Sequence, residues 1–501
     1  KPFLGLQDII ISILKHGTLV RPSEISNAAI SLVKLKPSVQ KILKETNSEM
    51  TSKSVNDISY ELSKVPLLLD IISLCPVADL ELETFFKKMR TNFLLIGEHL
   101  KPSSQLLAVQ KALALHCFTN EYIYDCTDKE LKEVARLEAL VANTLLSGKQ
   151  PTYGAILCLA SYRSLNEFDW LNQLVTTKEI KSVIKRQVIE PRHEHKLKLN
   201  ITVLENISDK VSGKVREQYE QSPYPRWVNL GLPLSSGTIA GELNRAKIRL
   251  LDNKVAENDA PNILIAGCGT GQHSIGTAAR FRNSEVLAVD LSSSSLAYAM
   301  RKTEELGINN IEYMQADILS LGTLNMQFDI VESVGVLHHM NKPMAGWKIL
   351  TDCLKPRGLM RIGLYSEFAR KEIVEIREKI IQSGINSSAI EMKSFRDYLI
   401  NSKNNSFQII KNFGDFYSLS ELKDLLFHVQ EHQFTIPKIK SCLESLSLQF
   451  CGFEDVKIVN KFSKNHYGED EKYDLDKWNS YEENNSKTFG GMYQFWCQKI
   501  N

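Results

Sequence analysis

The stretch Ile263-Leu264-Ile265-Ala266-Gly267-Cys268-Gly269-Thr270-Gly271 decides the fold. Four apolar residues read as a buried strand, glycines at alternate positions as a tight turn, and Gln272 as the start of a helix. Glycine suits a backbone that must turn sharply and let a ligand lie against bare main chain. The first amides of the helix then face any carboxylate or phosphate placed there. The spacing is GxGxG, and Gln272 stands where a GxGxxG dinucleotide fingerprint has its third glycine. That argues against NAD and for a nucleoside without a pyrophosphate. No GxxxxGK[ST] occurs at this turn, which argues against ATP use through a P-loop.

Outward from this turn, strand-like runs alternate with helical stretches. The runs are Ile263–Ala266, Val286–Asp290, Ile311–Gln315, Phe328–Glu332 and Leu359–Leu364, with helices expected over Ser292–Leu306 and Pro343–Leu354. Such alternation implies right-handed crossovers and a doubly wound, mostly parallel α/β sheet. Asp290 ends the second strand, 23 residues beyond Gly267, at the interval expected of a ribose-binding acid. Gln315-Ala316-Asp317-Ile318 closes the third: Asp317 is placed to accept from an exocyclic amine, and Leu291 and Ile318 to sandwich a purine. Phe328–His339 is a strand ending in a small-residue turn at the open edge of the sheet, where doubly wound folds place ligands. Each mark has a plain alternative: Asp290 as a helix cap, Asp317 as a loop acid, His338 and His339 as core polars. Four marks in register speak against coincidence.

On these residues the chain resembles the class I S-adenosylmethionine-dependent methyltransferases over about Val211–Gln498. The resemblance implies a Rossmann-like core and S-adenosylmethionine as cofactor, with S-adenosylhomocysteine as product. Gly267, Cys268, Gly269, Gly271 and Gln272 would line the methionine moiety, and Asp290 would hold the ribose hydroxyls. Leu291, Ala316, Asp317 and Ile318 would enclose the adenine, and Glu332, Ser333 and Val334 would lie near the sulfonium. One departure stands out: many members carry an acid two residues before the first glycine, and here that position is Ile265. The cofactor's amino group must then find another partner.

Two further segments, Tyr219-Glu220-Gln221-Ser222-Pro223-Tyr224-Pro225-Arg226-Trp227 and Leu425–Thr435, are similar to the protein lysine methyltransferases that modify rickettsial outer-membrane protein B. That similarity implies a helical N-terminal region, a homodimer and a lysine-bearing outer-membrane protein as substrate, methylated by direct displacement. A small-molecule acceptor, such as a lipid or sugar, is the competing reading; a non-catalytic scaffold is the third. The prolines hold Tyr219–Trp227 extended. It would then cover the cofactor, with Tyr219 and Arg226 on the cofactor and Trp227 facing a lysine ammonium; the alternative is an aromatic staple. Tyr224 and His338 are the candidate catalytic residues. Phe427–His432 reads as a helix end, putting His428, Glu431 and His432 toward the substrate. No third ligand completes a metal set there, so no metal is expected. Gly468–Glu483 carries seven acids and two lysines among Tyr473, Trp478 and Tyr481. It reads either as a negative aromatic surface suited to a lysine-bearing partner or as a solvated loop.

Composition frames the rest. The 501 residues are 43% hydrophobic and 24% charged, and 61 basic against 59 acidic residues leave +2, so no global basic field exists to hold nucleic acid. Nine cysteines without a CxxC pair favour reduced thiols. Val65–Val77, interrupted by Asp70 and Pro76, is too short to cross a bilayer, and no secretory signal is read. A cytoplasmic enzyme without stable membrane insertion is expected. The organisation expected is a helical accessory domain over 1–180, a linker and cofactor-covering segment over 181–260, the cofactor core over 261–366, a helical insertion over 367–450 and strands completing the sheet over 451–501. Lys181–Asn200 reads as a solvated connector or a basic docking patch. Late strands are expected at Phe453–Asn460 and Met492–Gln498.

Overall fold

The computed structural model describes residues 2–45, 50–464 and 468–500. The chain forms two compact units, each discontinuous in sequence: a helical unit of Lys1–His193, Arg226–Leu232 and Gln382–Leu425, and a sheet unit of Glu194–Pro225, Pro233–Ile381 and Leu426–Asn501. Among the described residues no helix is long and apolar enough to cross a membrane.

The helical unit begins with helices where their apolar residues place them, including Pro22–Lys34, Leu80–Leu95 and Ser104–Thr119, the last buried on almost every side. Polar N-caps start several of them, as where Asp79 accepts from the Leu82 amide and Ser103 from the Leu106 amide. Lys181–Lys198, expected as a solvated connector, is instead continuously helical with one π-helical turn, and it buries Val183, Ile184, Gln187 and Val188. Gln187 explains the burial of a polar residue: it holds the Leu165 amide and the carbonyls of Ala114 and Ala160. The Ala389–Asn401 helix joins this unit through Arg396, whose guanidinium makes a buried bidentate pair with Glu83 at 2.7 and 2.6 Å.

The sheet unit carries eight strands: β1 Thr202–Val203, β2 Asn262–Ala266, β3 Glu285–Asp290, β4 Ile311–Gln315, β5 Phe328–Val334, β6 Leu354–Tyr365, β7 Leu448–Phe453 and β8 Met492–Lys499. Their order is β1-β4-β3-β2-β5-β6-β8-β7, parallel except where β8 pairs antiparallel with β6 and β7. Alternation sorts the side chains: Leu264 and Ala266 enter one core, Ile263 and Ile265 the other. The order reverses between β3 and β5, with β2 at the switch, so the turns after β2, β3 and β5 open at one edge.

Two expectations at the C-terminal end are corrected. The late strand ends at Phe453 rather than beginning there, because Asp455 caps a helix over Val456–Ser463. Of the loop expected over Ser463–Lys487, residues 465–467 lie outside the described residues, and Leu475–Asn484 is a helix. Its Trp478 and Tyr481 are buried against Phe462, and Phe453 and Phe489 pack on Trp478. Trp478 and Tyr481 are therefore core, Tyr473 is half-buried, and Glu469, Asp470 and Asp476 face solvent.

Candidate active site

The glycine turn after β2 is built as its sequence requires. Gly267, Gly269 and Gly271 have φ of +80°, +53° and +84°. A Cβ on Gly267 would come within 2.3 Å of a Val336 methyl, and one on Gly271 within 2.6 Å of Ala299. No other residue fits these positions. The helix Gln272–Arg280 follows with its first amides toward the turn. Cys268 is buried, and burial with Asp290 nearby pushes its thiol well above the usual range, so it is an inert packing group.

Asp290 braces the turn and keeps room for a ligand. Its Oδ2 accepts from the Gly269 amide at 2.8 Å and its Oδ1 from the Ser292 amide at 2.9 Å. Each oxygen retains a lone pair, enough for two ribose hydroxyls. Burial pushes its pKa up, partly offset by those two amides. Asp317 caps the turn after β4, its Oδ1 accepting from Leu319, and Oδ2 makes no hydrogen bond among the described residues. That oxygen suits an exocyclic amine. Ala316 and Ile318 are buried beside it, and Leu291 is half-buried, as an adenine enclosure needs. The donor set and the bare glycine backbone thus fit S-adenosylmethionine.

β5 divides its expected site residues. Ser333 is buried and donates to the Ala266 carbonyl at 3.1 Å, tying β5 to the start of the turn. Val334 packs over the Gly363 backbone. Glu332 is corrected: fully buried, it is the hub of an ion cluster rather than a neighbour of the sulfonium. Arg280 reaches Oε1 at 2.7 Å, while Thr277 at 3.0 Å and His273 reach Oε2, with Arg361 at 3.4 Å. Burial would raise its pKa, but Arg280 and His273 hold it far below the carboxylate range. Period-2 alternation sends Glu332 to the face of Ile330, where the Gln272–Arg280 helix packs.

Beyond β5 a cluster of rings assembles. His338 is fully buried and stacks on Tyr365 at 3.8 Å, with His339 edge-on at 4.3 Å. His339 stacks on His428 at 3.6 Å, and His428 lies 5.8 Å from Tyr219, itself stacked with Tyr224. Neither ring nitrogen of His338, nor Nε2 of His428, has a partner among the described residues. Burial and the neighbouring imidazoles lower the pKa of His338 and His428 well below the ordinary value, and burial brings His339 to about 4. All three are neutral at pH 7. The Tyr219–Pro225 strap reaches the glycine turn: Thr270 donates its hydroxyl to the Pro225 carbonyl, and the Tyr224 carbonyl lies 2.9 Å from where a Gly269 Cβ would stand.

Several expected acceptor residues sit elsewhere. The helix ends at Phe427, so His428 and His432 are not on one helical face. Glu431 is bidentate with Arg370 at 2.9 and 2.7 Å, and that pairing outweighs burial to lower its pKa. His432 meets the Gln430 side chain at 3.1 Å. Arg226, expected on the cofactor's carboxylate, pairs within the helical unit with Glu121 at 3.2 Å. Trp227 is buried in that unit and is not presented to an incoming lysine. The residues that sequence reasoning missed are Tyr365, Thr270 and Glu220. Glu220 and Thr270 stood inside the quoted motifs, but only the fold shows what they hold.

Residues 263–358 match the family model described as a methyltransferase domain. An uncharacterized protein of Synechococcus sp. is 28% identical over 211 residues, covering 39% of this chain and 49% of that protein. A probable (S)-tetrahydroprotoberberine N-methyltransferase 2 of Papaver bracteatum is 23% identical over 187 residues, covering 33% and 52%. The chain thus spans about half the length of the curated relatives it matches. Among solved structures, PKMT2 from Rickettsia typhi in complex with AdoHcy aligns at 16% identity and a TM-score of 0.39, covering 56% of this chain and 55% of that one. The glycine turn, Asp290 and Asp317 all fall within the matched range, so the residues that fit S-adenosylmethionine lie in the segment that matches a methyltransferase domain.

Proposed function

We propose that the chain is a protein lysine N-methyltransferase that moves methyl groups from S-adenosylmethionine to lysines of an outer-membrane protein. The observation that carries an amine acceptor is the ring cluster beyond β5, in which three buried imidazoles are all neutral. A lysine amine is protonated below about pH 10.4 and attacks only as the free base, so burial beside a positively charged sulfonium lowers its pKa toward neutrality. The cofactor, when bound, supplies a methyl group on a positively charged sulfur. The residues then have to orient the amine, exclude water and accept hydrogen bonds from its N–H groups; alignment does most of the work. Val336, three residues before His339, packs on Gly267, which puts the imidazoles beside the cofactor turn. Tyr224 and His338 are the groups we assign to the reacting amine.

The choice of a protein lysine rests on the likeness of Tyr219–Trp227 and Leu425–Thr435 to the lysine methyltransferases named above. We place the enzyme in the cytoplasm on its scattered, unpaired cysteines and take a homodimer from the same likeness. A second reading, transfer to the nitrogen of a small molecule, is favoured by the burial of Trp227 and the engagement of Glu431, which remove two contacts a protein lysine was expected to make. The alkaloid N-methyltransferase among the relatives fits that reading too. Radiolabelled S-adenosylmethionine offered with unfolded outer-membrane protein and with a whole-cell metabolite extract separates the two. Label on protein lysines supports the first; label only in small molecules overturns it.

A further inference from the structure

Glu220 lies in the quoted Tyr219–Trp227 stretch, and neither the cofactor contacts nor the acceptor rings give it a role. It closes the helix Lys210–Gln221, and its carboxylate reaches a different element, the start of the helix Ser293–Leu306. Oε1 accepts from the Ser293 amide at 2.6 Å and the Ser293 hydroxyl at 2.9 Å; Oε2 accepts from the Ser294 hydroxyl at 2.6 Å. Lys198 joins them, 2.5 Å from Oε2 and 2.8 Å from the Ser294 hydroxyl. The Ser293 helix already has its own cap, since Ser292 accepts from the Ser295 amide at 3.1 Å. The second carboxylate therefore does something other than start the helix.

What it does follows from its neighbours along the chain. The Ser293 helix begins three residues after Asp290, so Glu220 grips the turn that follows the ribose acid. Five residues on, the Pro225 carbonyl takes the Thr270 hydroxyl in the glycine turn. The strap is thus fastened at two points, on the turn after β3 and on the turn after β2, and Asp290 itself bridges those two turns through the Gly269 and Ser292 amides. The strap therefore ends beside the two turns that Asp290 joins.

We propose that Glu220 is a positioning residue of the cofactor site: its grip on Ser293 and Ser294 holds the strap over the two cofactor-binding turns and sets how fast the cofactor and its product exchange. Burial alone would raise the Glu220 carboxyl, but the hydrogen bonds of Lys198, Ser294 and Ser293 bring it to about 2, so the fastening persists throughout the neutral and mildly acid range.

The test needs no acceptor and so stands or falls apart from the lysine reading. Radiolabelled S-adenosylmethionine is bound to the full chain and chased with excess unlabelled S-adenosylhomocysteine, and the release rate is measured by filter binding. E220Q, which keeps the shape but loses the charge, is expected to release label about tenfold faster or more, together with a modest fall in melting temperature from the lost Lys198 pairing. If E220Q does not fold, the double variant S293A/S294A, which retains Glu220 and Lys198, is expected to show the same acceleration. Release at the wild-type rate overturns the proposal. So does an equal acceleration in a core variant of matched melting temperature away from the strap, such as L443A, because lost stability alone then accounts for it.

Discussion

His339 and His428 lie face to face, and one residue sets them in opposite tautomers. Gln430 donates its backbone N–H to His428 Nδ1 at 3.2 Å and accepts at its carbonyl from His339 Nδ1 at 2.7 Å. Neutral His428 therefore carries its proton on Nε2, and neutral His339 keeps Nε2 as a lone pair. Donor and acceptor stand side by side on two stacked rings. His428→Asn preserves an oxygen for the Gln430 amide and removes the Nε2–H together with the ring that stacks on His339. Turnover of the acceptor is expected to fall about tenfold or more, with S-adenosylhomocysteine affinity by calorimetry unchanged. Wild-type turnover would assign His428 to packing.

Asp290→Ala removes the carboxylate that braces the glycine turn and offers lone pairs to the ribose. Affinity for S-adenosylhomocysteine is expected to fall roughly 30-fold or more, while the circular dichroism spectrum stays that of the wild type. Calorimetry decides, and unaltered affinity would remove Asp290 from the site.

Glu332→Gln acts on stability. Its carboxylate compensates Arg280 and Arg361 inside the sheet unit, and the amide leaves the two guanidinium groups with Glu454 alone as counter-charge. Breaking such a buried cluster costs about 3–5 kcal/mol. Urea unfolding should show the loss as a lowered midpoint; a shift of only a few tenths of a kcal/mol would mean that solvent compensates the guanidinium groups.

Acid should destabilise the protein through its buried imidazoles. His339 and His116 are buried neutral, each brought by burial to about 4 from an ordinary value of 6.5. Between those values the unfolded chain binds protons that the folded one refuses, so stability is full above about pH 6.5, declines as pH falls toward 4 and then levels. At 1.36 kcal/mol per unit each contributes on the order of 3 kcal/mol. Glu220, held at about 2, acts in a separate window: its contribution is intact above its ordinary value of 4.5 and lost as pH falls toward 2. Melting temperatures at pH 7.5, 5.5 and 4.5 should fall in order, and a flat series would contradict the burial of the imidazoles.

The sheet core was legible because its signals are local. A strand, a glycine turn with positive φ and an acid at the next strand end each lie within a few residues, so Gly267, Asp290 and Asp317 could be placed from spacing alone. Glu332 misled because its neighbourhood in sequence is the cofactor edge, while its side chain obeys the pleat and points to the face of Ile330. Arg226 and Trp227 misled for another reason: the chain leaves the sheet unit at Pro225, and these two residues belong to the helical unit, where Glu121 supplies the partner. The aromatic residues near Trp478 gave a periodic helix that a polar composition concealed. No short-range pattern announces a residue such as Gln430, whose two backbone groups matter only after His339 and His428 have been brought together.

The discontinuity of the helical unit bears on how the protein is made. Its last segment, Gln382–Leu425, holds Arg396, the partner of buried Glu83. On the ribosome Glu83 emerges more than 300 residues before that partner. Since domains generally fold as they appear, the helical unit has to wait, its acid uncompensated, while β2 to β6 are synthesised. Nascent chains stopped before Arg396 should therefore be the ones most in need of a chaperone, and no single cut in the gene yields either unit whole.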